Sequence, residues 1–512
     1  MVEIMNKTKT FAVNAAILTA TSFVMSSVNM SFTVYISGKI GASGVGLYQL
    51  IMSVYRLCVT FATGGIGLAS ARLVSEEMAL DSHSGAVKAV KCCLFYAMTL
   101  SITAGAALFL FSEHIAENML GDMRTLNALR ILAFSLPALS ASSVMSGYFT
   151  AVRRVIKNSA VLLWEQYIKI SLSVFLLGRI GVNSLESACV SLVLSGTAAE
   201  ILSCLTMGIL YIHDVKKHRH AKSARGGGDI SRRMLGIAVP VALSSYLRSG
   251  LSTAEQMMIP WGLKKYGHSE NAALAEYGII GGMVMPIIMF PAVFLTAFSG
   301  LLVTEVSACR AVGNRKKINM IFSYVFRFTM LFSIGVSGIL CGFGGKIALF
   351  MYDSQRAASF ITVLSPLVSI MYLDSVTDSM LKGLNRQQSH MRYNIIDSAV
   401  SILLAATLLP TVGISGYIIV ITISEVLNFF LSFRCLIKET DFRPPLYDGV
   451  VKPVLAITLS VLIMRILSKF IPSSPLTLTL LIVLSAAMYF GLTILLGSLT
   501  KEDGNFIKER LK

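Results

Sequence analysis

Charged side chains are scarce in this chain: Asp, Glu, Lys and Arg make up 14% of its 512 residues, against about 25% in soluble globular proteins. A single soluble core stops growing near roughly 250–300 residues. A 54% hydrophobic content at this length therefore excludes one large water-soluble interior. Catalytic signatures are missing too. There is no Walker A loop, no H-E-x-x-H and no G-x-S-x-G, so the sequence carries no sign of a nucleotide motor, a zinc peptidase or a serine hydrolase. No cofactor is expected. The eight cysteines show no metal-ligand spacing, and most fall in apolar runs, where they read as small buried hydrophobes.

What the chain does contain is membrane-length apolar runs. A spanning helix needs about 20 such residues, and about fourteen runs of that kind lie between 11–36 and 476–496, among them the seventh, 234–263, broken by Pro240 and Pro260, and the eighth, 279–302. They do not alternate as barrel strands would. In hydrocarbon only helices and closed barrels satisfy the backbone, so the expected fold is all-α and polytopic. The first run is too long for a signal-peptide core of about 7–15 residues and is expected to be an uncleaved first helix.

Acidic residues are few, 27 against 44 Lys and Arg. A net charge of +17 raises the question of nucleic acid, but position answers it. Alternate connections carry 29 of the basic residues and the others only 9. That asymmetry marks the cytoplasmic side. Both termini are expected inside the cell membrane, with anionic lipids rather than nucleic acid as the partner of the basic loops.

The longest basic connection, 213–233, holds Gly226-Gly227-Gly228 among Lys and Arg and reads as a linker. It separates a six-span lobe, 1–212, from a second, 234–437; residues 438–512 add a helix pair and a tail. The halves echo each other. Leu73-Val74-Ser75-Glu76 in span two matches Leu302-Val303-Thr304-Glu305 in span eight, and Gly147 and Asn158 match Gly383 and Asn394. Six spans per half give both copies the same polarity, a parallel repeat of the kind transporters use, with substrate near the midplane.

A charge at a helix centre costs about 2.5–3.5 kcal/mol, so charges within spans need a cavity or a partner. Arg56 in span two and Arg248 in span seven lie among Ser and Thr. They are candidates to hold phosphate bidentately, with Lys169 as a third substrate-binding residue. Glu165, Glu255 and Asp374 are candidate sites for a coupling proton or sodium ion. Glu165 with Lys169, four apart, and Arg248 with Glu255, seven apart, share helix faces, so simple mutual neutralisation stays open. Glu200, Asp378, Asp397, Arg327 and Arg465 read as interfacial. Arg72, Glu76 and Glu305 are expected at the cytoplasmic rim as an ion-pair gate.

The sequences Gly46-Leu47-Tyr48-Gln49-Leu50, Gly64-Gly65-Ile66-Gly67, Ser70-Ala71-Arg72-Leu73-Val74-Ser75-Glu76 and Leu381-Lys382-Gly383-Leu384-Asn385 resemble the stage V sporulation protein B family. That family belongs to the superfamily of polysaccharide exporters, lipid II flippases and MATE antiporters. The resemblance implies two six-helix lobes, a final hairpin helping to form a groove for a lipid tail, and alternating-access movement of an undecaprenyl-pyrophosphate-linked sugar. Two other readings stay open: a cation-coupled multidrug exporter of the MATE type, and a non-transporting membrane scaffold.

Overall fold

Backbone polar groups in hydrocarbon can bond only within protein, and the described residues form helices with no strand. The computed structural model describes residues 2–80, 82–179, 181, 184–217, 229–440, 447–472 and 474–498. Twelve helices are long and apolar enough to cross a bilayer, and the pair Met123–Ala133 and Leu136–Ala151, bent by 46°, makes a thirteenth span. The first, Thr19–Ala79, has 61 residues, about 90 Å at 1.5 Å per residue and three times a hydrocarbon core of roughly 30 Å. It must hold two crossings, and Gly41, at φ 68° and ψ 178°, interrupts the helix between them. The expected count of about fourteen is thereby reached.

Packing groups the chain into two units. The first comprises Met1–Val28 and Lys39–Gly278. Its helices are α1 (Val2–Thr63), α2 (Ile66–Ala79), α3 (His83–Leu110), α4 (Ser112–His114), α5 (Leu126–Ala133), α6 (Leu136–Ala151), α7 (Val155–Arg179), α8 (Leu185–Lys217), α9 (Ile230–Tyr266) and α10 (Glu270–Gly278). On α2, Ile66, Ala69, Ser70, Leu73 and Val74 form one buried stripe, the i, i+3, i+4 pattern of a helix face. It packs with Val90 and Cys93 of α3 and Val144 and Phe149 of α6. Burying each large apolar side chain contributes about 1.5–3 kcal/mol. The Ser70 hydroxyl donates to the Val144 carbonyl at 2.9 Å.

The second unit comprises Asn29–Gly38 and Ile279–Lys512. Its helices are α11 (Met285–Met289), α12 (Ala292–Ala311), α13 (Arg315–Tyr352), α14 (Gln355–Leu364), α15 (Val368–Gly383), α16 (Gln387–Val412), α17 (Ile414–Glu439), α18 (Lys452–Leu467) and α19 (Pro475–Leu495). The α18–α19 hairpin docks on α13, where the Tyr489 hydroxyl donates to the Leu331 carbonyl at 2.7 Å. The two glycines that echo each other in sequence do similar work. A β-carbon on Gly147 would lie 2.5 Å from the Gly67 oxygen, and one on Gly383 would lie 2.8 Å from Val306 Cβ. Each lets the fourth helix of its repeat press against the second, as small residues do in membranes.

Two expectations change. Pro240 and Pro260 do not break span seven; both sit inside one continuous 37-residue helix, as neighbouring groups in a membrane bundle permit. Span eight, expected at 279–302, begins at Glu270 and turns at Phe290–Pro291 before α12; a proline lacks the N–H that would continue the helix and restrains the residue before it. Separately, α9 packs on α2 and α3, so the packing boundary at 278 and the repeat boundary at 213–233 are different divisions of the chain. Residues 218–228 of the expected linker lie outside the described residues.

Candidate functional site

A helix turns 100° per residue, and α9 uses that rotation to present three faces. Ser249, Thr253 and Gln256 meet α1. Thr60 Oγ1 donates to Ser249 Oγ at 3.1 Å, Thr253 Oγ1 to the Ser53 carbonyl at 3.2 Å, and Arg56 Nη2 to Gln256 Oε1 at 2.6 Å. Tyr277 Oη of α10 donates to the same oxygen at 3.4 Å. On the far side Leu243, Leu247 and Trp261 are 69%, 51% and 44% exposed and form an apolar stripe. Between the two runs a polar stripe of Ser244, Ser245, Arg248, Ser252 and Glu255. Arg248 is exposed and has no hydrogen bond or ion pair among the described residues. A lone guanidinium against acyl chains is costly, so this stripe belongs against water. The mutual neutralisation with Glu255 that the spacing leaves open does not form among the described residues, and Glu255 is not without a partner of its own.

Lys169 sits elsewhere, in the interior of the first unit. There the buried Tyr55 hydroxyl donates to Glu200 Oε2 at 2.6 Å and lies 2.5 Å from Ser135 Oγ. Glu165 is within hydrogen-bonding reach of Ser203. Tyr48, Glu200 and Glu165 all act electrostatically on Lys169, yet no ion pair within 4.0 Å joins Lys169 to Glu165. The packing thus separates the three basic candidates: Arg56 on the α1–α9 seam, Arg248 on the adjoining open stripe, and Lys169 in a closed polar cluster. Glu200, which reads as interfacial in sequence, is a bonded member of that cluster.

Carboxylates converge in the second unit. Asn428 Nδ2 donates to Asp374 Oδ2 at 2.9 Å, while the buried Oδ1 of Asp374 has no partner among the described residues. Asp378, Glu425 and Asp397 all repel its charge. His390 Nδ1 lies 2.7 Å from Asp378, and Ser424 donates to Asp397 at 2.7 Å, so both acids have partners within the second unit. A buried carboxylate among others needs either a cation beside it or a proton that neutralises it.

The rim residues pair within their own units. Arg72 meets Glu76 at 3.0 Å, and Arg233 at the start of α9 meets Glu76 at 2.5 Å and Glu77 at 2.8 Å. Glu305 meets Lys317 at 3.0 Å. Arg233 was hidden in sequence because it reads as part of the basic linker. Replacing it by alanine leaves the Glu77 carboxylate, 3% exposed, without its cation. Removing one partner of a buried pair costs about 3–5 kcal/mol, and the partly exposed Arg233 reduces this to about 2 kcal/mol. Thermal unfolding in detergent is expected to show Arg233→Ala melting well below wild type; an unchanged midpoint would contradict a stabilising role for the Arg233–Glu77 pair.

The helical architecture, the apolar outer surface and the charges held inside define a multi-pass, all-α membrane protein. The chain belongs to the polysaccharide biosynthesis protein family, which it matches over residues 11–266. It is similar to the Bacillus subtilis (strain 168) stage V sporulation protein B, 26% identical over 428 residues covering 82% of each chain. It is also similar to lipid II flippase MurJ of the same organism, 21% identical over 491 residues, covering 89% of this chain and 87% of that one. Among solved structures, lipid II flippase MurJ in an inward closed conformation matches with a TM-score of 0.68 at 14% identity, covering 94% of this chain and 98% of that one. An inward-facing multidrug resistance MATE family transporter of the MOP superfamily matches with a TM-score of 0.62 at 14% identity, covering 80% and 94%. The structural likenesses carry the fold; with the sequence relatives they support a membrane flippase or transporter of that superfamily.

Proposed function

We propose that this protein moves a lipid-linked anionic glycan, an undecaprenyl-pyrophosphate-linked sugar such as a peptidoglycan precursor, across the cell membrane by alternating access, with both termini cytoplasmic. The observation that carries this reading is Arg248, an exposed guanidinium without a described partner on a membrane-crossing helix. A guanidinium fork matches two phosphate oxygens. Arg56, whose carbonyl-oxygen partner is neutral, keeps its charge available to a second phosphate. The sugar and pyrophosphate travel along the polar stripe while the isoprenoid tail remains in lipid. Uptake of a fluorescent polyprenyl-pyrophosphate-linked sugar in proteoliposomes tests the substrate class directly.

The carboxylates of the second unit favour ion coupling through Asp374, by proton or sodium. They also favour the second reading, a cation-coupled exporter of the MATE type. Asp374→Asn is expected to slow translocation by about tenfold under an imposed gradient, the order expected for losing one charged contact, while equilibrium binding of the glycolipid is retained. Equal rates for wild type and variant under every gradient would remove Asp374 from coupling. Export of a cationic dye in place of the glycolipid would select the second reading.

A further inference from the structure

At one end of the second unit a cavity of about 450 Å³ opens between the last turn of α12, the first turns of α13, the turn after α15 and the end of α17. That volume lies within the range of about 300–1,000 Å³ typical of small-molecule sites. Its walls carry four cations, Arg310, Arg315, Arg386 and Lys438, and one carboxylate, Glu439. Glu439 is already used: Arg386 Nη2 lies 2.8 Å from its Oε1 and donates to Oε2 at 2.9 Å. Arg310 is held by donating to the Leu384 carbonyl, a neutral group that leaves its charge uncompensated. The side chains of Arg315 and Lys438 have no hydrogen bond or ion pair among the described residues.

Membrane topology calls for basic residues at this end of the helices, but not for their convergence on one cavity. Lys316 and Arg434, close in sequence, do not line it. Glu439 offsets Arg386, and the three positive charges in excess repel one another, so the arrangement costs energy until an anion enters. The N-terminus of the 38-residue α13 adds a positive dipole end at the same wall. Asn319 and Thr440 also line it and supply neutral hydrogen-bonding groups.

We infer that this cavity is an anion site for a phosphate-type ligand of two or more negative charges, either the headgroup of an anionic lipid or a free polyphosphate. The site is built from the second unit alone, and it stands whether or not the chain carries a glycolipid. Arginine forks and a lysine point charge are the side chains that recognise phosphate.

The test uses the purified full-length protein and the double variant Arg315→Gln with Lys438→Gln. These two cations have no described partner, so the fold keeps its contacts; Arg315→Lys with Lys438→Arg, which retains the charges, controls for folding, and Lys469→Gln controls for bulk charge. Inorganic pyrophosphate is titrated calorimetrically at low salt. Retention of cardiolipin, whose headgroup carries two phosphates, against phosphatidylcholine is read by native mass spectrometry. Pyrophosphate binding that falls about tenfold or more in the double variant, survives in both controls and weakens with salt supports a free-phosphate site. Selective retention of cardiolipin, lost only in the double variant, supports a lipid site. If wild type and double variant are indistinguishable with both probes, the inference is overturned.

Discussion

Arg248→Gln is expected to lower glycolipid translocation by about 10- to 100-fold, because a charged hydrogen bond to phosphate is worth roughly 1.5–3 kcal/mol and each 1.4 kcal/mol is a factor of ten. Stability is expected to stay within about 0.5 kcal/mol of wild type, as for surface positions outside any network. Both expectations come from the same observation. Arg248 has no described partner, so removing it breaks nothing in the fold and removes only what the side chain offers to a ligand. Arg248→Lys keeps the charge but loses the fork, and an intermediate rate follows. Proteoliposome flux and a melting curve on the same preparation check the pair. Wild-type flux in Arg248→Gln would contradict the role; a collapsed melting temperature would show that the residue is structural.

Gly278→Val is expected to destabilise the first unit by about 3 kcal/mol, the upper end of the usual range for overpacking. A β-carbon at Gly278 would lie 2.2 Å from the Ala42 oxygen and 2.5 Å from the Gly46 nitrogen, and one at Gly46 would lie 1.9 Å from the Leu274 oxygen. Here backbone meets backbone, and no rotamer change relieves the clash. The α1 and α10 segments must part, and Tyr277 moves with them. Its hydroxyl reaches the oxygen that Arg56 also contacts, so flux is expected to fall alongside stability. Gly278→Ala is expected to show a smaller loss of the same sign. Thermal unfolding decides it, and an unchanged midpoint for the valine variant would mean that the helices are not in contact at this crossing.

The spans were legible because the bilayer imposes a length and a polarity that composition alone reveals. The membrane charges were legible for the same reason: Arg56, Lys169, Arg248 and Asp374 stand out against apolar runs. Their partners were not. The i, i+7 spacing of Arg248 and Glu255 puts both on one stripe, but sharing a stripe is not contact, and the two do not pair. The hydrogen-bonding partner of Glu200, Tyr55, lies 145 residues away, beyond any local pattern. Gly46 and Gly278 carry no sign in sequence that two backbones meet there; neither residue differs in type from glycines that meet nothing, such as Gly178 or Gly250. Span eight was misplaced because Glu270–Gly278 is too polar to be counted as apolar, yet helix geometry extends through it.

The face that Arg248 shares with Ser244 and Ser252 is the centre of the functional reading, and cysteine accessibility in the membrane measures it directly. In a background with the eight native cysteines replaced, single cysteines at Ser244, Ser252, Leu243 and Leu247 are exposed to a charged, membrane-impermeant thiol reagent in intact vesicles. Cysteines at 244 and 252 are predicted to react and those at 243 and 247 to remain protected. The opposite pattern, with the serine positions inert and the leucine positions labelled, would put the polar stripe out of water and contradict the account.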